Sequence, residues 1–255
     1  AVHALCDFCA MCAAPQSMLA TITLPQQTPD MAERTLAEIM VAAREVAKDA
    51  GAEIVGGHTT QGAELTIGFT VTGLCTDAPI TLAGAKAGDD LVLTKPIGSG
   101  TLMAAAMRGV ARGWDVAAAW EVMAQPQGEA ARILKGANAL TDVTGFGLVG
   151  RLRGLAEAGD GVDAELWPDA VPLMSGAQAL AEAGIRSSIF PENAAGDPLA
   201  ESDPRRALLY DPQTGGGLLT AVNNGAAVVT KLKAAGYGAA VVGRFVPGTG
   251  AVHIL

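Results

Sequence analysis

Segments with the period of a strand and segments with the period of a helix follow one another along the chain, and this alternation constrains the fold most. Residues 64–73 give the clearest strand, because Leu65 and Ile67 lie on one face and Thr66 on the other. Residues 28–51 give the clearest helix, which opens with Thr-Pro and closes at a glycine. No period of fixed length repeats, so the sequence predicts a mixed α and β protein.

The composition determines the kind of core and narrows the classes of partner. Hydrophobic residues fill 50% of the 255 positions and aromatic residues only 4%, so the core must consist mainly of Ala, Val, Leu and Ile. No apolar run approaches the roughly 20 residues that span a bilayer, and no secretory leader opens the chain, so we expect a soluble protein without a membrane partner. The formal charge of −9 disfavours nucleic acid as a partner. ATP can still bind if Mg²⁺ lies between its phosphates and carboxylates of the protein.

The alternation breaks over residues 75–88, where Pro, Asp and Gly predict a domain boundary. We therefore divide the chain into an N-terminal domain, residues 1–78, and a C-terminal α+β domain, residues 79–255. Within the second domain, residues 191–204 are rich in Pro, Gly, Asp and Ser, and they predict a long surface loop.

Three of the four cysteines form a C-x2-C-x2-C run at the start of the chain: Cys6, Cys9 and Cys12. The spacing occurs in iron–sulfur and zinc sites, but no fourth ligand follows at a familiar distance. We interpret these residues as small buried hydrophobes, and all four cysteines as free thiols in a reducing cytoplasm. Asp7 lies in the same apolar run. Such an aspartate needs hydrogen-bond donors or a cation, unless it caps the start of a helix.

Residues 56–60 (GGHTT) form the first of three glycine-containing segments that we predict to be loops at strand ends. The backbone amides of such a loop can approach a phosphate closely, and His58 and Thr59 add an imidazole and a hydroxyl. A tight connection between two strands, with His58 only hydrogen-bonded, explains the pattern equally well. Residues 211–217 (DPQTGGG) form another such segment, for which we favour a structural role.

Residues 141–147 (TDVTGFG) connect a predicted strand to a predicted helix. They overlap a G-x-G-x-x-G match at residues 145–150, and Asp163 and Glu165 follow near the position of a ribose-binding acid. However, Asp142 would repel a bare pyrophosphate, whereas beside Mg²⁺ it is a ligand. The segment therefore favours a metal–nucleotide site over a dinucleotide site. The sequence has no phosphate-binding G-x-x-x-x-G-K-[ST] loop and only three histidines.

Four blocks occur in one order and together span most of the chain: residues 5–11 (LCDFCAM), 56–59 (GGHT), 141–148 (TDVTGFGL) and 211–219 (DPQTGGGLL). In combination they resemble the selenide, water dikinase family, whose Thr-Asp-Val-Thr-Gly-Phe-Gly-Leu block is matched residue for residue. The block at residues 211–219 departs from the family at Gly215, where the family has Ser. The first block is preceded by His3, where the family has Asn.

The resemblance implies a two-domain aminoimidazole-ribonucleotide-synthetase-like fold, in which mixed sheets pack against helices. It implies a homodimer formed through sheets of an N-terminal ATP-binding and dimerisation domain, with ATP near the subunit interface. The implied enzyme is a kinase that converts ATP, selenide and water to selenophosphate, AMP and orthophosphate. Mg²⁺ is the implied cofactor and ATP a substrate, which agrees with the charge neutralisation that phosphoryl transfer requires.

By position in the family's blocks, Asp7 would contact both nucleotide and Mg²⁺, and Asp142 would ligate Mg²⁺. Gly57, His58 and Thr59 would touch ATP, either within one subunit or across the dimer interface. The family also carries a mobile N-terminal segment with a catalytic Cys or selenocysteine and a Lys. That segment does not precede Ala1. We therefore assign no catalytic residue and expect these 255 residues to be catalytically incomplete.

Two other functions fit parts of the pattern. One is a different ATP-using enzyme of the same fold, such as thiamine-monophosphate kinase, a purine-pathway synthetase or a hydrogenase-maturation protein. The other is a nucleotide-binding module without catalytic activity. The combination of residues 141–148 with residues 211–219 favours the selenium enzyme over the other enzymes of the fold, and only the missing N-terminal segment supports the module.

Overall fold

Two separate β-sheets organise the chain, and the computed structural model describes all of residues 1–255. The first 75 residues form two helices and three strands: α1 (Val2–Ala10), β1 (Ala14–Pro25), α2 (Pro29–Asp49), β2 (Glu53–Gly62) and β3 (Thr66–Leu74).

The remainder forms nine α-helices, six strands and one 3-10 turn. The helices are α3 (Ser99–Met107), α4 (Gly113–Ala124), α5 (Gly128–Ile133), α6 (Gly147–Ala158), α7 (Ala177–Glu182), α8 (Phe190–Asn193), α9 (Leu199–Ser202), α10 (Pro204–Leu208) and α11 (Gly225–Ala234). The strands are β4 (Asp90–Leu93), β5 (Ala139–Asp142), β6 (Val162–Leu166), β7 (Leu218–Val222), β8 (Ala240–Pro247) and β9 (Val252–Ile254), and the 3-10 turn is Pro168–Ala170.

The first sheet has the order β2-β1-β3, with β1 parallel to β2 and antiparallel to β3. Alternate residues of β1, including Ala20 and Ile22, are buried against the apolar face of α2, which carries Leu36 and Met40. The opposite face has no covering element, and it leaves apolar side chains such as Leu19 exposed. One-sided burial accounts for the alternating pattern of these strands.

The second sheet has the order β5-β7-β4-β8-β6-β9 and is covered on both faces. Leu91 and Leu93 face the larger core, which includes α3 and α6. Val92 faces a smaller core with α5 and α11. Because both faces are covered, consecutive residues of β4 and β7 are buried instead of alternating with exposed ones. The predicted mixture of helices and strands is confirmed.

Helix α1 connects the two halves of the molecule. Its Leu5 packs with Met18 of the first sheet, whereas its Ala10 belongs to the smaller core of the second. Asp7 lies between these two residues on α1, and its side chain is exposed. The interpretation of Asp7 as a buried residue or a helix cap is therefore wrong, since α1 begins five residues earlier and Ala1 is its N-cap.

Two predicted loops are also wrong. Residues 56–60 lie inside strand β2, and residues 191–204 contain parts of three short helices, α8, α9 and α10. In the second case Asp203 caps α10 by accepting hydrogen bonds from the amides of Arg205 and Arg206. The same Asp and Pro residues that indicate a loop also start short helices. None of the helices is both long and apolar enough to cross a bilayer.

Candidate functional site

Asp142 ends strand β5, and its carboxylate is buried beside two donors. The hydroxyl of Thr144 donates to Asp142 Oδ2 at 2.6 Å, and Nη2 of Arg151 approaches the same oxygen at 3.3 Å. Arg151 also donates to Thr144 Oγ1 at 2.8 Å, and its guanidinium lies 5.4 Å from the centre of the Phe146 ring. The three polar groups form a closed network that fixes the direction of the Asp142 carboxylate.

The turn after Asp142 is fixed by backbone contacts. Val143 donates its N–H to the Gly217 carbonyl at 2.8 Å, which continues the pairing of β5 with β7. Gly147, with φ of 69°, then starts α6. A Cβ there would lie 2.8 Å from the Tyr210 carbonyl carbon, so only glycine fits. Arg151 follows one helical turn later and can therefore reach back to Asp142.

Asp7 faces the same region from α1, which packs against β5. Partial desolvation of its carboxyl by neighbouring groups and the negative charge of Asp142 raise the pKa of Asp7, while the guanidinium of Arg151 opposes this shift. Asp7 and Asp142 thus lie on two elements in contact, α1 and β5, and the charge of Asp142 acts on the carboxyl of Asp7. A cation between them would relieve their mutual repulsion.

The segment 213–217 lies between α1 and the turn after β5. The Gly215 amide donates to Nδ1 of His3 at 3.2 Å, and the Gln213 amide donates to the Thr144 carbonyl at 3.0 Å. Gly215 adopts φ of 57°, and a Cβ there would lie 2.3 Å from the Met123 carbonyl oxygen. These close approaches support the structural role that we favoured for the three glycines.

The residues present fit a magnesium ion that is held together with a nucleotide. No group of three or more His, Cys, Asp or Glu side chains is arranged to hold a metal ion by itself. Mg²⁺, however, is usually bound by one or two carboxylates together with substrate phosphates and water. Asp7 and Asp142 supply two such carboxylates, and the exposed side chain of Asp7 leaves room for a phosphate group.

Gly57, His58 and Thr59 lie in β2, where they pair with Ala20, Thr21 and Ile22 of β1. A Cβ at Gly57 would lie 2.0 Å from the Ala20 carbonyl oxygen, next to an irregularity in the register of the two strands. The glycines therefore allow a close approach of strands within the sheet. His58 and Thr59 are exposed, and no hydrogen bond or ion pair connects them to Asp7 or Asp142.

The thiols of α1 lie mostly away from this site. Burial raises the pKa of Cys6 to about 11 and that of Cys9 to about 12, so both are protonated at neutral pH. Cys9 and Cys12 line a cavity of about 600 Å³ between α1 and α5, to which Asp7 does not contribute. All four cysteines are free thiols.

The dinucleotide interpretation of residues 145–150 does not fit the structure. Strand β5 pairs only with β7, in antiparallel orientation at one edge of the sheet, so it is not part of a parallel βαβ unit. Asp163 accepts three backbone N–H groups of residues 249–251, and Glu165 pairs with Arg244 at 2.7 Å. Both acids are thus used within the fold.

Arg151 and Lys95 lie beside the site, although sequence reasoning did not single them out. Arg151 is nine residues after Asp142 and four after Gly147, which directly precedes the predicted helix. This spacing of one helical turn indicates that Arg151 can reach back to Asp142. Lys95 gives no such local signal, because its contacts at Gln125 and Gly215 are 30 and 120 residues away.

Comparison with family models matches both parts of the chain. Residues 1–75 match the N-terminal domain, and residues 86–255 the C-terminal domain, of AIR synthase related proteins. The two-domain α+β fold expected from the resemblance is confirmed. The boundary between residues 78 and 79 itself stays a prediction.

Several curated relatives are named selenide, water dikinase. The protein from Caldanaerobacter subterraneus subsp. tengcongensis is 36% identical over 96% of this chain, which spans 73% of that relative. The protein from Pasteurella multocida is 37% identical over 88% of this chain, with 64% of that relative covered. The chain thus spans about two thirds to three quarters of the length of these relatives.

Solved structures share the fold at lower identity. Thiamine-monophosphate kinase from Stenotrophomonas maltophilia K279a has a TM-score of 0.74 and 21% identity, covering 98% of this chain and 75% of the kinase. Hydrogenase maturation protein HypE in complex with ATP has a TM-score of 0.73 and 20% identity, covering 97% of this chain and 72% of HypE. At these identities the likeness concerns the fold alone.

Proposed function

We propose that this chain, which belongs to the selenide, water dikinase family, carries the nucleotide and metal site of an enzyme that makes selenophosphate from ATP, selenide and water. The other products are AMP and orthophosphate. The observation that carries the proposal is the contact between α1, which carries Asp7, and β5, which ends at Asp142, in a chain whose relatives bear this name. Asp142 belongs to the block that best distinguishes the family.

The chemistry expected of this site is positioning and charge neutralisation. Bound Mg²⁺ would screen the negative charge of the polyphosphate, and Asp7 and Asp142 are the residues that would hold the ion. Arg151 places a guanidinium 3.3 Å from Asp142. That cation is therefore near enough to bind a phosphate oxygen and offset charge that develops during transfer.

A second copy of the chain is proposed to cover the open face of the first sheet. Leu19 of β1, Val55 of β2 and Leu74 of β3 are 45%, 62% and 59% exposed, which is unusual for a sheet of an isolated monomer. Pairing of two such faces would bury these side chains and make a homodimer. We propose that Gly57, His58 and Thr59 touch the nucleotide across this interface, since within one chain no hydrogen bond or ion pair connects His58 or Thr59 to Asp7 or Asp142.

We also propose a cytoplasmic location. The four cysteines are free thiols, which fits a reducing compartment.

The activity is tested with the full-length gene product, ATP, Mg²⁺ and selenide under anaerobic conditions. We expect phosphorus NMR to show AMP, orthophosphate and a selenophosphate resonance in equal amounts. Phosphorylation of thiamine monophosphate with ADP as the product would instead identify the enzyme as another member of the fold. Nucleotide binding without turnover would support a binding module.

The role of β2 is tested by His58→Ala. Because His58 is exposed, we expect unchanged thermal stability and a KM for ATP that rises by about tenfold, equivalent to about 1.4 kcal/mol of lost binding. His253→Ala is the control, since His253 is also an exposed histidine on an edge strand. Equal KM values in both variants would remove His58 from the nucleotide site.

A further inference from the structure

We infer that Lys95 is a positioning residue that holds segment 213–217 between the two carboxylate-bearing elements of the site. The inference deepens the proposed function, because the carboxylates concerned are Asp7 and Asp142. Lys95 follows strand β4, and no part of its side chain is exposed to solvent.

The ammonium group of Lys95 is bound by backbone carbonyls alone. Its Nζ donates to the Gln125 carbonyl at 2.6 Å and to the Gly215 carbonyl at 2.9 Å. No carboxylate forms an ion pair with it. Burial lowers the pKa of Lys95 to about 8. A buried ammonium without a counter-ion is costly, so packing alone does not account for a lysine here.

The carbonyl that Lys95 holds belongs to the residue that contacts α1. The amide of Gly215 donates to Nδ1 of His3, which lies one helical turn before Asp7 on the same face of α1. The thiol of Cys6 adds a long contact of 3.9 Å to the Gly216 carbonyl. Lys95 thus binds the carbonyl of a residue whose own amide binds the helix of Asp7.

The same segment also contacts the element that carries Asp142. Gln213 donates its amide to the Thr144 carbonyl at 3.0 Å, and the Gly217 carbonyl accepts the amide of Val143 at 2.8 Å. Gln213 and Gly217 flank Gly215 in the chain, so a shift of Gly215 is transmitted through these two hydrogen bonds to the turn after Asp142. Lys95 therefore acts on both carboxylates through one carbonyl, without touching either.

A structural role without positioning is the alternative, and Arg205 provides the matched control. Arg205 is a partly buried cation that, like Lys95, donates to two backbone carbonyls, in its case those of Pro168 and Val171. It lies outside the site and the elements that contact it. Lys95→Met and Arg205→Met each remove a cation of this kind, so both should lower stability.

The test compares hydrogen exchange and turnover in Lys95→Met, Arg205→Met and unaltered full-length gene product, at a temperature where all three are folded. We expect amides in peptides that cover 213–217 and 143–147 to exchange at least about tenfold faster in Lys95→Met only. We also expect its turnover with ATP, Mg²⁺ and selenide to fall at least about tenfold, and Arg205→Met to keep its turnover.

Two results would overturn the inference. One is unchanged exchange over these peptides, and the other is faster exchange with unaltered turnover. Lys95→Arg keeps a cation with enough donors for both carbonyls, and it should restore most of the protection. If Lys95→Met does not fold, Lys95→Gln replaces it. The glutamine side chain is uncharged and shorter, but its amide nitrogen can still donate a hydrogen bond. If the unaltered protein makes no selenophosphate, the proposed function fails, whereas the exchange data still decide whether Lys95 holds the segment.

Discussion

Asp142→Asn is expected to lower turnover with ATP and selenide by at least about 100-fold, which corresponds to about 3 kcal/mol of transition-state stabilisation. Asparagine keeps the shape of the side chain and can still accept the Thr144 hydroxyl, but it no longer carries the charge that a magnesium ion needs. Steady-state kinetics over a range of Mg²⁺ concentrations measures the effect. The Mg²⁺ concentration for half-maximal rate should rise in the same variant.

Asp115 supplies a matched control for this substitution. It too is a buried aspartate that bonds one hydroxyl and one arginine: Ser175 at 2.6 Å and Arg112 at 2.6 Å. Asp115→Asn should therefore lower stability to a similar extent while leaving turnover and Mg²⁺ dependence unchanged. If the two variants lose turnover equally, the effect of Asp142 is structural and the metal role is lost.

The strand, turn and helix around Asp142 could be predicted from sequence because they follow one another directly along the chain. An apolar strand leads to the carboxylate, glycines follow in the turn, and the next helix begins within five residues at Gly147. The partner Arg151 lies one turn further along that helix. Periodicity and glycine signals act over the same short range, so they describe this part of the site well.

The environment of Asp7 could not be predicted in this way. The apolar run around it indicates burial, yet the helix packs between two sheets and leaves one narrow strip, with Asp7, facing outward. Which strip is exposed depends on how the two sheets are placed around α1. That placement is set by contacts such as Leu5 with Met18 and the small core around Ala10, and neither is visible in the local pattern.

The two glycines before His58 illustrate a different limit. Gly-Gly predicts a loop because glycine permits tight turns, but glycine also permits two strands to approach closely. In β2 the second effect applies, since a side chain at Gly57 would meet the carbonyl of Ala20. A single sequence cannot distinguish the two, because the glycine signal is the same and only the partner strand differs.

Gly216→Ala is expected to destabilise the protein by about 3 kcal/mol and to reduce turnover as well. The added Cβ would lie 1.9 Å from the Val143 carbonyl oxygen, so either segment 213–217 or the end of β5 must move. Val143 directly follows Asp142, and the displaced backbone would carry the carboxylate with it. Differential scanning calorimetry should show a Tm lower by about 6–12 °C for a chain of this size.

Gly145→Ala distinguishes steric displacement from a general intolerance of this region to alanine. Gly145 lies two residues after Val143, and nothing comes within 4 Å of a Cβ built there. Its φ is not positive, so alanine should change the stability by less than about 1 kcal/mol. Equal losses in the two variants would mean that the contact between Gly216 and Val143 does not set the geometry. A loss confined to Gly216→Ala would show that the carboxylate of Asp142 depends on the absence of a side chain more than seventy residues away, at a glycine that forms no part of the site's chemistry.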